Sequence, residues 1–145
     1  MKVKRVLCLG FLVLAMSLLL TGCVGAEPLP KGMEEETVIA EGQKIYDLVM
    51  DEQYETVAGM LREDIRTAPG KEIKAEHIKD LVDQFLVPDE IGEFKKISDI
   101  YTLGKSDPEP HGIAVFEAKY TEKTVALCVA FDLDMNMIGL SFNRQ

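Results

Sequence analysis

The stretch Thr124–Asp132 constrains the fold most strongly, because its apolar residues alternate in size along the chain. Bulky residues stand at every second position of the stretch and just beyond it: Val125, Leu127, Val129, Phe131 and Leu133. Small residues fill the positions between them: Ala126, Cys128 and Ala130. Since side chains alternate faces along a strand, this pattern predicts a strand with one bulky and one small apolar face. Such a strand belongs inside a sheet, with other elements packed on its bulky side.

Three helices are predicted before this strand, at residues 37–50, 53–63 and 74–87. In the first helix, the apolar stripe leaves Gly42 at its margin or turned away from it. The third helix has the clearest apolar repeat: Ile78, Leu81, Val82, Phe85 and Leu86. Pro88 should end that helix, because the residue before a proline disfavours the helical conformation.

Four strands are predicted in the C-terminal half, at residues 94–103, 113–121, 124–132 and 137–142. The short connections between the last three strands favour hairpins, and therefore an antiparallel meander. Helices followed by strands are typical of an α+β fold, in which helices pack on one face of an antiparallel sheet. We expect the segment that ends at Pro88 to cover the bulky face.

The N-terminus has the pattern of a bacterial secretion signal. Lys2, Lys4 and Arg5 precede an apolar run of 15 residues, Val6–Leu20, which is short for a membrane span. The run leads into Leu-Thr-Gly-Cys at residues 20–23, which resembles the bacterial lipobox. The resemblance implies removal of residues 1–22 and attachment of diacylglycerol to the Cys23 thiol. We therefore expect a lipid anchor on the extracytoplasmic face of the cell membrane.

Residues 23–36 are predicted to form a lipidated flexible linker, and residues 37–145 a single domain. Glycines and prolines interrupt the linker, and Glu34, Glu35 and Glu36 end it. Of the three cysteines, Cys8 lies in the signal peptide and Cys23 is the lipid site. Cys128 is then left without a partner for a disulfide, and its strand position favours a small core residue over a nucleophile.

The charge of the chain is acidic, with 25 acidic and 16 basic residues and a formal net charge of −9. Removal of residues 1–22 would leave 13 basic residues and a charge of −12. A negative field of this size repels phosphate backbones, so nucleic acid is not an expected partner. It also opposes electrostatic binding to anionic lipids, so membrane attachment requires the lipid.

No motif for a metal or a cofactor stands out. Asp132, Asp134 and Asn136 have the spacing of the first ligands of a calcium loop, but the glycine and the closing glutamate of that loop are missing. An Asp- and Asn-rich hairpin turn is the simpler interpretation. The only two histidines, His77 and His111, lack the spacing of a metal pair, with His77 expected to face solvent and His111 to lie in a loop.

Three segments resemble a known family. They are Tyr54-Glu55 before the second helix, residues 91–97 at the turn into the sheet, and residues 131–140 of the closing hairpin. Together they are similar to a small bacterial domain of unknown function, number 3887, which is frequent in lipoproteins of Gram-positive anaerobes and related to the nuclear-transport-factor-2-like cone fold. The resemblance implies a curved, cone-like sheet around the long helix, with a pocket between them in some relatives. It implies no catalytic residues.

Two sites follow as hypotheses. A pocket between the long helix and the sheet would hold Tyr101, Glu117 and Tyr120, beside Asp99, as a site for a small apolar ligand or for isomerase-like acid–base chemistry. An apolar patch on the second sheet face would serve a homodimer or another envelope protein, unless the N-terminal helix covers it: Ile113, Val115, Ala126, Cys128 and Ala130. We expect a non-enzymatic binding or association module, with the pocket enzyme as the alternative.

Overall fold

The computed structural model describes residues 27–145, in which five helices precede four strands. The helices are α1 Glu35–Met50, α2 Tyr54–Met60, α3 Glu63–Arg66, α4 Ala75–Phe85 and α5 Pro88–Ile91. The strands are β1 Phe94–Lys105, β2 His111–Tyr120, β3 Thr124–Asp132 and β4 Met137–Arg144. The predicted α+β fold class is confirmed. The predicted signal peptide and Cys23 lie outside the described residues.

The four strands form one antiparallel sheet in the order β1-β2-β3-β4, as the predicted meander requires. The sheet is open, and β1 and β4 are its edges. β3 has the predicted bounds. Its bulky side chains Val125, Leu127 and Val129 are at most 2% exposed and belong to the larger apolar cluster between the helices and the sheet, which we call the main core. Leu133 was expected on the same face but is 51% exposed, because β3 ends at Asp132 and Leu133 belongs to the turn.

Two helices cover the bulky face of the sheet, and the first carries most of the cover. α1 contacts β1, β2 and β3, whereas α4 contacts β4. The rings of Phe85 on α4 and Phe142 on β4 stack with centroids 5.7 Å apart. The segment ending at Pro88 therefore covers one edge of the sheet, and α1 covers the rest. The helix that lies along the sheet is the first one, not the third.

The second predicted helix, 53–63, ends three residues early. α2 stops at Met60, and Leu61 adopts extended backbone angles (φ −61°, ψ 138°). Leu61 forms a parallel bridge with Met137, and the amide of Arg62 donates a hydrogen bond to the Met137 carbonyl at 2.8 Å. This link to an edge strand is non-local, so the helical spacing of the sequence could not predict it.

Pro88 was expected only to end the third predicted helix. That helix, α4, ends at Phe85, and Pro88 opens the short helix α5 at its first position, where a proline fits well.

Residues 27–34 are held against the domain, although the sequence analysis assigned them to a flexible linker. Glu27 and Gly104 exchange two backbone hydrogen bonds of 2.9 and 2.7 Å and form an antiparallel bridge on β1. Leu29 and Met33 pack against the main core. α1 then begins at Glu35, two residues earlier than predicted. The part of the linker that the structure describes is therefore docked.

Gly42 lies at the contact between α1 and β2, not at the margin of the helix stripe. It is buried, and a Cβ atom at this position would lie 2.6 Å from the Cβ of Ala114 and 3.0 Å from the ring of Phe116. Only a residue without a Cβ allows this approach. The glycine thus sets the distance between the helix and the centre of the sheet.

We predict opposite effects for the same substitution at two helical glycines. Gly42→Ala should lower the free energy of unfolding by about 1–2 kcal/mol, because overpacking outweighs the gain in helix propensity. Gly59→Ala on α2, where nothing lies within 4 Å of the new Cβ, should raise it by about 0.5–1 kcal/mol. Urea unfolding followed by circular dichroism measures both. Equal effects of the two substitutions would show that the α1–β2 contact is not tight.

Candidate binding site

The three predicted pocket residues lie on two faces of the sheet. The Tyr101 hydroxyl donates a hydrogen bond to the Glu117 carboxylate at 3.3 Å, on the face away from α1. Tyr120 packs against the main core on the other face. Glu117 and Tyr120 are three positions apart on one strand, so alternation puts them on opposite faces. The prediction of one pocket holding all three residues is therefore wrong, and the spacing alone could have shown it.

The predicted association patch forms a second, smaller apolar cluster. Val115, Ala126 and Cys128 are 0%, 6% and 9% exposed. Tyr101, Leu103 and Ile113 pack against them, and Ala130 is half-buried. α1 lies on the opposite face of the sheet. The centre of the patch is therefore buried and does not present the exposed apolar surface that association would use.

The interior between the helices and the sheet is filled by side chains. Ile45, Phe116 and Leu127 are at most 1% exposed. The small gap between Tyr46, Leu86 and the sheet has no room for a water molecule. A ligand pocket at the centre of the helix–sheet layer is therefore closed.

An open cleft lies where the end of α1 meets the start of β1. It encloses about 310 Å³ and is lined by Tyr46, Met50, Phe94 and Tyr120; we call it the aromatic cleft. The rings of Phe94 and Tyr120 meet edge to face with centroids 5.7 Å apart and planes at 73°. The ring of Tyr46 packs against the ring of Phe116, with centroids 5.4 Å apart, and links the cleft to the core. Of the pocket residues predicted from sequence, Tyr120 is the one found here.

The sheet register brings Phe94 to the cleft. Gly104 pairs with Gly112, and an uninterrupted ladder from that pair would place Phe94 opposite Glu122. Two irregularities, between Phe94 and Lys96 and between Ile97 and Asp99, shift the pairing so that Phe94 faces Tyr120 instead. Bulges of this kind re-aim side chains at strand ends. The sequence analysis did not identify Phe94 as a site residue, because its position depends on this shift. It also missed Tyr46 and Met50, which reach the cleft from α1.

The cleft is apolar and carries two neutral hydroxyl groups. Burial, with smaller contributions from Tyr120 and Asp47, raises the pKa of Tyr46 to about 12. Burial also raises the pKa of Tyr120. Both hydroxyls are therefore protonated at neutral pH and can donate or accept a hydrogen bond. No charged residue is among the four that line the cleft. The arrangement suits a flat, neutral, apolar group with one polar atom.

A second apolar groove lies between α4 and β4 and encloses about 340 Å³. Its lining is mostly aliphatic: Leu61, Ile65, Ile73, His77, Ile78, Leu81, Ile138, Gly139 and Leu140. His77 is half exposed, as predicted, and its Nδ1 accepts a hydrogen bond from the Lys74 amide at 2.9 Å, so the ring caps α4. The aromatic cleft is the stronger candidate, because it contains two of the five large apolar side chains that are exposed in residues 27–145: Phe94 at 53% and Met50 at 36%.

A cluster of charged side chains at the opposite end of the sheet joins distant segments. Arg62 donates hydrogen bonds of 2.6 to 3.0 Å to three carboxylates: Asp64, Glu109 and Asp132. Hydrogen bonds from Arg62 lower the pKa of Asp64 and of Glu109. Burial favours a higher pKa for Asp132, but hydrogen bonds from Asn136 and Arg62 outweigh it and the pKa is lowered. All three carboxylates are therefore held in the charged form.

The calcium-like spacing in the β3–β4 hairpin serves the turn itself. Asp132 Oδ1 accepts hydrogen bonds from the amides of Asp134 at 3.0 Å and Asn136 at 2.8 Å. Within residues 27–145, no three His, Cys, Asp or Glu side chains are grouped so that they could hold a metal ion. His111 was expected in a loop but is the first residue of β2 and 7% exposed, with Nδ1 2.7 Å from the Glu109 carbonyl.

Comparison with known proteins identifies the family. Residues 42–140 match the family described as protein of unknown function (DUF3887). The chain belongs to this family. An NMR structure of a protein from Ruminococcus gnavus ATCC 29149 resembles the DUF3887 domain with a TM-score of 0.60 and 23% sequence identity, over 80% of this chain and 96% of that chain. This likeness shows the shared fold alone. No curated protein matches the chain.

Within residues 27–145, none of the helices has the length and apolar content needed to span a bilayer.

We predict that Arg62→Gln lowers the midpoint of thermal unfolding at pH 7 and flattens its pH dependence. The pKa values of Asp64 and Glu109 are lowered from 3.8 and 4.5 in the folded chain, so both carboxylates stabilise the fold above those unfolded values. This stabilisation is lost as the pH falls through the lowered pKa values. Without Arg62, the fold should lose less stability between about pH 5 and pH 3 than the wild type does. Circular dichroism melts at several pH values measure this. The control Lys44→Gln breaks the exposed pair with Glu41 and should leave the profile unchanged.

Proposed function

We propose that the protein is a lipid-anchored, extracytoplasmic binding module that takes a neutral apolar ligand in the aromatic cleft and has no catalytic role. The anchor rests on the lipobox-like residues 20–23 that follow a charged and then an apolar segment. The binding role rests on one observation: Phe94 and Met50 stay exposed around the cleft, although residues of this kind usually lie inside. The family relationship to the nuclear-transport-factor-2-like cone is part of this proposal, and helices packed on one face of an antiparallel sheet support it.

The cleft fits a ligand better than it fits a reaction. Its volume is at the lower end of the range of roughly 300–1,000 Å³ that is typical of small-molecule sites, and such sites are mostly apolar with a few polar groups. Isomerase-like chemistry would require a carboxylate base beside a tyrosine hydroxyl. The carboxylates predicted for that role, Glu117 and Asp99, are cross-strand partners on the other face of the sheet, where Glu117 accepts a hydrogen bond from Tyr101. The cleft tyrosines thus serve to orient a bound group.

We predict that Cys23→Ser releases the protein from the membrane. The substitution removes the thiol that carries diacylglycerol, and each buried methylene contributes about 0.8 kcal/mol to anchoring. The wild type should enter the detergent phase after Triton X-114 separation, and its N-terminal peptide should have the mass of a lipidated cysteine. The control Cys128→Ala should behave like the wild type. Retention of the Cys23→Ser variant in the detergent phase would refute the lipid anchor.

We predict that Phe94→Ala weakens binding of a neutral apolar dye, Nile red, by about tenfold, since loss of a ring contact of about 1.4 kcal/mol changes affinity by that factor. Fluorescence titration measures the dissociation constant. Leu133→Ala is the matched control, because Leu133 is also exposed, at 51%, but lies in the β3–β4 turn at the other end of the sheet. Equal losses in both variants would contradict the cleft as the binding site.

A further inference from the structure

The segment before α1 is fixed to one end of the sheet, which we call the near end: Gly104 at the end of β1, Gly112 at the start of β2 and the loop between them. Glu27 pairs with Gly104 through two backbone hydrogen bonds. A Cβ atom on Gly104 would lie 2.0 Å from the Pro28 carbonyl oxygen. The glycine therefore permits the segment to lie directly on the strand edge.

Side chains strengthen this attachment along the following residues. The Ser106 hydroxyl donates a hydrogen bond of 2.6 Å to the Glu27 carboxylate. Leu29 and Met33 approach Gly112 so closely that a Cβ atom there would lie 2.9 Å from each. Both side chains also pack against the main core. Residues 27–33 thus form a strap that joins the near end to α1.

The strap leaves little free chain before the predicted lipid site. Three residues separate Cys23 from Glu27. Since consecutive Cα atoms are about 3.8 Å apart and an extended chain spans at most about 3.6 Å per residue, Glu27 lies no more than roughly 14 Å from the lipidated residue. This bound depends only on covalent geometry. An anchor at Cys23 therefore constrains the domain closely.

We infer that the strap holds the near end of the sheet against the lipid surface and leaves the aromatic cleft at the far end, facing away from the membrane. This inference rests on the proposed lipid anchor. Phe94 and Tyr120 pair at the far end of the β1–β2 ladder, and Gly104 and Gly112 pair at the near end. β2 has 10 residues, so the two ends are about 30 Å apart. The ligand site therefore opens towards the outside.

Charge does not explain this orientation. Carboxylates at or beside the near end outnumber the cations Lys31 and Lys105 of the same segments; they lie in the strap, in the β1–β2 loop and in the β3–β4 turn: Glu27, Asp107, Glu109 and Asp134. An anionic bilayer repels such a surface. The short covalent connection and the backbone bridge must therefore hold the near end in place, and zwitterionic lipid is the most favourable surface for it.

Paramagnetic NMR of the lipidated protein tests the orientation. The full chain is expressed with ¹⁵N labelling in a host that processes lipoproteins, extracted from membranes and placed in phosphatidylcholine nanodiscs that contain a gadolinium-chelating lipid. Amide signals of Ser106 and Asp107 should be broadened several-fold more than those of Gly92 and Glu122, because the paramagnetic effect falls steeply with distance. Equal broadening of the two sets would overturn the inference.

Two variants separate the strap from the anchor. Insertion of about 15 Gly and Ser residues between Ala26 and Glu27 adds a mean reach of roughly 20 Å and should abolish the contrast. Gly104→Ala should displace the strap and reduce the contrast, whereas Gly59→Ala should leave it intact. An N-terminal peptide without diacylglycerol would overturn the anchor and the orientation together. A lipidated protein without contrast would overturn the orientation alone.

Discussion

The close approach of α1 to β2 at Gly42 is the contact on which the rest of the domain depends. From this point the helix follows β2 towards its C-terminal end, where Tyr46 meets the ring of Phe116. Met50 at the end of α1 then reaches Tyr120 and completes one wall of the aromatic cleft. A wider spacing between helix and sheet would leave the central core loosely packed, and interiors tolerate such gaps poorly. The same contact therefore closes the middle of the layer and shapes the opening at its end.

A second constraint acts where the apolar core ends. The Arg62 guanidinium donates hydrogen bonds to Glu109 in the β1–β2 loop and to Asp132 at the end of β3, which are 47 and 70 residues away in sequence. Asp132 also organises the β3–β4 turn through the amides that follow it. Since a single exposed ion pair contributes little to folding stability, this cluster stabilises the fold mainly through its several joined hydrogen bonds and the burial of Asp132. It ties the β1–β2 loop and the end of β3 to the chain just before α3.

The parts of the fold that follow from local spacing could be predicted, and the parts that depend on distant partners could not. β3 has its predicted bounds because side-chain size alternates along it without interruption. The cleft depends on two irregularities in the β1–β2 ladder that move Phe94 opposite Tyr120, and no local pattern marks them. Tyr120 was identified for its residue type, but its grouping with Glu117 ignored the alternation of faces along β2. The docked strap was missed because glycines and prolines at residues 25–32 are also typical of free linkers.

The two isolated bridges of the described chain have a common consequence for the sheet edges. Glu27 occupies the backbone groups of Gly104 on β1, and Leu61 pairs with Met137 on β4. Exposed edges invite strand addition by another molecule, and partial covering is one way in which native sheets prevent it. Under the proposed lipid anchor, copies confined to a bilayer plane would meet one another side by side at high local concentration. Each edge strand is interrupted at one end, so lateral contact does not offer a full-length edge from which a continuous intermolecular sheet can grow.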